Sequence, residues 1–316
     1  MSANTKVLVI GADAMEKDLI LQWIGEGLLP NFKALKERSA WGLSENPPRR
    51  FSGAVWPCFY TGVGPDKHDQ YIRTKFDPQT YEFQGTRPRE DGHLPFWTDV
   101  AMADKRVGIV NMPYAPLCPE LNGIQTVEWG VHDAYTEDGR DKGFEAHPPE
   151  LKKTVLQKYG RDPVGYTEIN NRSPEEFIEF RDRLVERIEN KTRMICDYLG
   201  QGGWDLFMTV FDECHTVGHQ CWHLHDANHP LHDQTAKQAG DPIRDVFIAL
   251  DTALGRIVEC AGDDAYVLFL ASHGMGPHND GNRILDDILR KLEDTGESAG
   301  VGALNILSRA WLMLPK

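Results

Sequence analysis

Five short apolar runs set the rhythm of the chain, at residues 7–10, 106–113, 124–129, 204–210 and 265–270. Each reads as a strand, and the continuous run at 7–10 reads as a central parallel one, buried on both faces. Helical spacing falls between the strands, over residues 19–28, 31–40, 96–103, 150–158, 173–199, 241–259 and 282–292. Gly27 and Pro30 close the first of these. Ser173-Pro174-Glu175-Glu176 opens the longest, with an N-cap, a proline at the first helical position and a glutamate that completes a capping box. Two stretches lack periodicity, at about 70–95 and 131–170. Both are polar and punctuated by proline, and read as cap excursions over the sheet edge. Alternation of strands and helices predicts an α/β fold: a mainly parallel central sheet with helices on both faces and a small cap region. No repeat or low-complexity segment interrupts it.

A chain of 316 residues with 41% hydrophobic composition can bury a large core, so one domain over 1–316 is expected. The formal net charge is −14 and no Lys/Arg-rich run stands out. That argues against a nucleic-acid surface or an anionic membrane as partner. It does not exclude phosphate, provided metal ions supply the local positive charge. The six cysteines show no CxxC pair and no dense framework, which fits reduced thiols. Residues 1–10 carry no signal-peptide pattern, and no apolar run approaches the ~20 residues of a membrane span. A cytoplasmic location is the resulting expectation.

Candidate chemistry sits at the ends of the predicted strands. Asp13 ends the first, and His273 ends the last. Six of the twelve histidines fall between His215 and His232, just past the 204–210 run. In open α/β sheets ligands bind beyond the carboxyl ends of the strands, and right-handed crossovers bring such tips to one edge. His215 and His219 are four apart, so a helix would place both imidazoles on one face, where they could share an ion. The plainer reading of that pair is a solvated surface helix; Asp13 and His273, also on strand tips, favour a metal site. Thr216 stands where a HExxH motif would have glutamate, so this is not that motif. His223, His225, His229 and His232 read as a polar loop with Asp226 and Asp233, solvated or supporting the ligands from outside. Cys214 and Cys221 read as buried filler, and Trp222 as packing. Ser52 precedes an apolar, helix-compatible run. It is either a plain N-cap or a nucleophile held at a helix N-terminus.

Several separated blocks resemble the alkaline phosphatase superfamily, in its type I phosphodiesterase/nucleotide pyrophosphatase branch. Val7-Leu8-Val9-Ile10-Gly11-Ala12-Asp13 is similar to the opening strand with its metal-binding aspartate. Gly27-Leu28-Leu29-Pro30-Asn31 resembles the Gly-x-x-Pro-Asn that follows. Ser52 stands nine residues before Thr61-Gly62, the place of the family's Ser/Thr nucleophile. Thr61-Gly62-Val63-Gly64-Pro65-Asp66-Lys67-His68 is similar to the Thr-Gly…Pro…His continuation. Asn111-Met112-Pro113 with Leu121-Asn122-Gly123 resembles a further segment. His219 matches the histidine of an Asp-x-x-x-His block, and Ser272-His273-Gly274-Met275 resembles Asp-His-Gly-Met. The chain departs from the pattern in three ways. His215 replaces an aspartate, Ser272 replaces another, and the last metal histidine normally lies well downstream, whereas only His278 follows His273 here.

The resemblance implies a metal-dependent hydrolase of small phosphate esters or nucleotides, with two divalent ions about 4 Å apart. Zinc is the expected metal, with manganese or magnesium as alternatives. Asp13, Ser52 and His273 would bind one ion, and His215, His219 and His278 the other. Ser52 would attack phosphorus to give a phosphoseryl intermediate, and Asn111 would hydrogen-bond a non-bridging oxygen. Two alternatives accompany this reading. One is a phosphomonoesterase or sulfatase-like hydrolase of the same superfamily, although residues 52–54 lack the modifiable cysteine of a sulfatase. The other is a non-catalytic metal- or phosphate-ester-binding relic of the fold.

Overall fold

A computed structural model of the protein describes residues 6–46, 52–68, 70, 74–85, 93–130, 143–165, 172–277 and 288–291. The chain divides into two units, residues 1–277 and 278–316. Among the described residues, the first holds every strand and the candidate site. In the second, residues 288–291 are helical, and the rest of the helix expected at 282–292 lies outside the described residues.

Strand β1 (Val7–Ala12) leads into helices α1 (Lys17–Gly25) and α2 (Pro30–Glu37). A 3-10 turn at Ser52–Ala54 runs directly into α3 (Val55–Thr61) and then α4 (Pro65–His68). Strands β2 (Thr74–Asp77) and β3 (Glu82–Gly85) pair as a separate antiparallel hairpin within the 70–95 excursion. There follow α5 (Trp97–Met102), β4 (Val107–Val110), β5 (Gly123–Val127), β6 (Glu145–His147) and α6 (Glu150–Tyr159). The long α7 (Pro174–Leu199) precedes β7 (Leu206–Phe211) and α8 (Glu213–His225). Next come α9 (Gln234–Ala239), α10 (Pro242–Ala261) and β8 (Tyr266–Ala271).

Six strands form one sheet in the order β6-β5-β4-β7-β1-β8. All neighbours are parallel except β5 and β6. The fold is thus α/β with a mainly parallel sheet, as the alternation of elements predicts. The antiparallel edge strand β6 is new to the structure, because three residues are too few to show a period. Alternate residues of the central strands enter different cores. Leu8 and Ile10 pack with α1, α2, α7, α8 and α10, whereas Val9 packs with Trp56 and Tyr60 of α3 and Trp97 of α5. Both faces are therefore dry, which is why these strands read as continuous apolar runs. Gly108 sits under the ring of Phe207, where an added Cβ would come within 2.6 Å of the ring.

The expected helix ends are realised with defined chemistry. Ser173 Oγ accepts from the Glu176 amide at 3.3 Å, and the Glu176 carboxylate accepts from the Ser173 amide at 2.6 Å. The start of α2 is held from α10 instead: Asp251 accepts from the Asn31 and Phe32 amides at 3.2 and 2.8 Å and from the Asn31 side chain at 2.8 Å. A buried carboxylate thereby satisfies amides that a helix start leaves open. Among the described residues, no helix is long and apolar enough to cross a membrane.

Candidate metal centre

The topology places three strand tips side by side. β1 lies between β7 and β8, with Ala12 level with both Phe211 and Ala271. The Asp13 amide then donates to Phe211 O at 2.7 Å, and the Ser272 amide donates to Ala12 O at 3.1 Å. Asp13, the first turn of α8 and Ser272-His273 consequently emerge together at the carboxyl edge of the sheet.

Asp13 is buried, and each of its carboxylate oxygens is engaged. Oδ1 accepts from Trp56 Nε1 at 2.8 Å and from Ser272 Oγ at 2.8 Å. Oδ2 lies 2.8 Å from His215 Nδ1, and His273 Nδ1 is 3.6 Å from Oδ1. Burial alone would push this carboxyl up. The His215 hydrogen bond and the His215 and His273 charges outweigh it, with help from Trp56, and hold the pKa well below the carboxylate range. Burial lowers the His273 pKa, with His215 acting in the same direction and Asp13 opposing. Trp56 reaches Asp13 because position 11 is glycine: a Cβ there would meet the indole ring at 2.5 Å.

Asp13, His215 and His273 each offer one ligand atom, and the three atoms lie within 4.8 Å of one another. One carboxylate and two imidazoles at that spacing suit a divalent ion such as zinc. The structure therefore joins His215 to Asp13 and His273, whereas the resemblance implies a pairing of His215 with His219 on a second ion. The reason is the register: only Asp212 separates the β7 tip from the start of α8, so its first turn abuts Asp13. His219 is one turn on, with its ring centroid 4.6 Å from that of His215, and stands outside the three-residue group.

Other expected site residues are less directly placed. Ser52 opens the 3-10 turn, but the N-cap of α3 is Ala54, in right-handed helical conformation and without a side-chain cap bond. His278 lies outside the described residues. Asn111 follows the β4 tip with φ +54°. Its amide donates to Thr126 O at 3.0 Å and its Oδ1 accepts from Thr126 Oγ1 at 3.3 Å. Its side-chain nitrogen is buried without a partner.

The loop reading of His223 and His225 is also corrected, since α8 continues through His225. His225 Nδ1 bonds Asp241 Oδ2 at 2.8 Å, and Trp23 meets the imidazole edge-on at 5.6 Å. His223 packs against Phe177, and His232 Nδ1 lies 2.9 Å from His223 O. Cys214 and Cys221 are buried, and burial pushes both thiols well above the usual range, which suits filler.

Behind the first turn of α8 lies a cluster that was not expected. Arg187 and Lys191 of α7 are fully buried against Asp162, Asp212 and Glu213. Burial opposes the guanidinium charge, but Asp212, Asp162 and Glu213 more than restore it and raise the Arg187 pKa. Three carboxylates share two cations, so burial dominates for Asp162 and Glu213 and pushes both pKa values up. The available signal was positional. Arg187 and Lys191 fall in the same stripe of α7 as the buried Phe180, Leu184 and Ile195.

A model of the type I phosphodiesterase/nucleotide pyrophosphatase family matches residues 7–312. No curated protein sequence matches the chain. Among solved structures, phosphonoacetate hydrolase from Sinorhizobium meliloti 1021 is similar in two crystal structures with different ligands. Its complex with phosphonoformate superposes with a TM-score of 0.51 at 17% identity, covering 86% of this chain and 57% of that one. Its complex with phosphonoacetate gives 0.52 at 17% identity, covering 88% and 58%. This chain thus spans under three fifths of the neighbour's length, and the likeness is one of fold.

Proposed function

The chain belongs to the type I phosphodiesterase/nucleotide pyrophosphatase family, and from that premise we propose that it is a metal-dependent hydrolase of phosphate diesters acting through Ser52. The observation that carries the reading is the convergence of Asp13, His215 and His273 on one spot at the carboxyl edge of three adjacent parallel strands. Those residues would hold a divalent ion, zinc in the first instance. Such an ion supplies Lewis acidity toward a phosphoryl oxygen and lowers the pKa of a bound hydroxyl. The chain's own residues do the remaining work. Trp56 and Ser272 fix the Asp13 carboxylate in one orientation by donating to Oδ1. Ser52 supplies the hydroxyl that attacks phosphorus, expelling one ester oxygen as the alcohol, which takes up the serine proton; water then breaks the Ser52–phosphorus bond, releasing the phosphate monoester and returning the free serine. Asn111 donates its unpartnered side-chain N–H to a non-bridging oxygen, which would end the cost of leaving a buried donor unpaired.

Turnover of bis-p-nitrophenyl phosphate tests this. It is expected to vanish on chelation, to return with added zinc, and to be lost in Ser52→Ala. Turnover that survives Ser52→Ala overturns the nucleophile, and turnover that survives thorough chelation overturns the metal. Relative rates on mono-, di- and sulfate esters separate the phosphodiesterase from its superfamily alternatives. A second reading, a binding relic of the fold, is favoured by one observation. Asp13 Oδ1 already accepts two hydrogen bonds and Oδ2 already meets His215, so the carboxylate is satisfied by protein alone. Zinc binding without hydrolysis of any ester in the panel would decide for it.

A further inference from the structure

The cluster behind α8 has no part in the chemistry above, and its makeup is costly. Two cations and three carboxylates have side chains at most 3% exposed. Removing ions from water is expensive, and apolar residues of similar volume often serve stability as well or better. Where such a cluster is retained, its contacts indicate what it holds.

Here they converge on one helical turn. Arg187 Nε donates to Glu213 Oε1 at 2.9 Å, and its Nη2 donates to Asp212 Oδ2 at 3.3 Å and to Thr216 Oγ1 at 3.5 Å. Lys191 Nζ lies 2.9 Å from both Asp212 Oδ1 and Glu213 Oε1. Arg187 Nη1 is anchored in turn by Asp162 Oδ2 at 3.3 Å. Asp212, Glu213 and Thr216 bracket His215. Asp212 is the N-cap residue of α8, yet its side chain makes no cap bond. The carboxylate that could have capped its own helix is turned to α7 instead. The chain after β5 closes over the cations at Gly130, φ +60°, where an added Cβ would stand 3.1 Å from Arg187 Cδ and 3.4 Å from Lys191 Cε.

We propose that Arg187 and Lys191 are positioning residues for His215: by gripping Asp212, Glu213 and Thr216 they fix the first turn of α8, and with it the imidazole that meets Asp13. The value of this to catalysis rests on the metal reading above, but the positioning itself is a property of the metal-free protein. A fork with three acceptors on α8 sets both the rotation and the height of that turn. A lysine at 187 keeps the charge and loses the fork.

The test reads His215 directly, by NMR of metal-free protein labelled with 15N-histidine, the His215 signals being those lost in His215→Asn. In the wild type the proton between His215 Nδ1 and Asp13 should give one sharp, downfield resonance. Arg187→Lys should broaden or abolish it. Leu184→Ala, a core truncation on the same helix, should lower Tm by a comparable amount and leave the resonance in place. If Arg187→Lys fails to fold, Arg187→Met/Glu213→Gln removes one cation and one carboxylate together and keeps the net charge of the cluster. A wild-type resonance in either folded Arg187 variant overturns the proposal, as does its loss in Leu184→Ala. Zinc titration of the same samples should show affinity about 10–100-fold weaker in the Arg187 variants. A wild type that takes up no zinc, while its His215 resonance still depends on Arg187, sinks the metal reading and upholds the positioning.

Discussion

The two ends of helix α8 carry the same residue type and have different uses for it. At the N-terminal end, His215 faces Asp13 and His273 at the junction of three strand tips. At the C-terminal end, His225 is tied to Asp241, the N-cap of α10, and flanked by Trp23, while His223 lies against Phe177. The first arrangement gathers three side chains whose ligand atoms lie within 4.8 Å of one another. The second closes hydrogen bonds that a helix start and a loop require. Partners, rather than the density of histidines, separate a candidate metal centre from a structural seam.

His215→Ala should break the comparison hardest. Loss of one of three converging ligand atoms is expected to weaken zinc binding more than the roughly 100-fold ceiling typical of supporting residues, and to remove phosphodiester turnover, as read by chelator competition and by rate. Zinc affinity within a few-fold of wild type would refute the centre as drawn. Gly11→Ala acts on the same end from behind. The added methyl meets Trp56, so overpacking of about 1–3 kcal/mol is expected, together with displacement of the indole from Asp13. Denaturant unfolding and the environment of the Trp56 fluorescence would check it. At the other end, His225→Ala should cost about 1–2 kcal/mol through the lost bond to Asp241. Its zinc affinity should equal the wild type's. A fall in affinity there would erase the distinction between the two ends.

Much of this site was legible in the sequence because its parts terminate strands. Asp13 and His273 each follow an apolar run, and a parallel sheet brings such tips to one edge. The meeting of His215 with Asp13 and His273 was not legible. It depends on β1 lying between β7 and β8, and strand order is not written in a run of apolar residues. The extent of α8 was missed for a local reason: residues 223–232 are polar and carry Pro230, and the helix stops only at Asp226. Trp56 and Ser272 as donors to Asp13 required the close approach over Gly11 and the register of β8. Arg187 and Lys191 were visible as charges in an apolar stripe, but what they face is set by the long return of the chain from α7 to the β7 tip.

The smallest expected effect, and the finest comparison of the two ends, is pH dependence. The pKa values of His223 and His273 are both lowered by burial; His229 and His232 add to it at His223, and His215 adds to it at His273. The unfolded chain therefore binds more protons than the folded one once pH falls toward an ordinary histidine pKa of about 6.5. Stability of the metal-free protein should thus decline as pH falls through that region. A separate loss should follow below about 4, because Asp13 and Asp241 have lowered pKa values and their contribution is complete only above the unfolded carboxylate pKa. Urea midpoints at pH 7.5 and 5.5 measure the first window. His223→Gln should flatten the dependence to the same degree with zinc or with chelator present. His273→Gln should flatten it in a way that depends on zinc, because a ligand imidazole must give up the ion to gain a proton. Equal behaviour of the two variants in zinc would place His273 with the structural histidines and reduce the centre to Asp13 and His215.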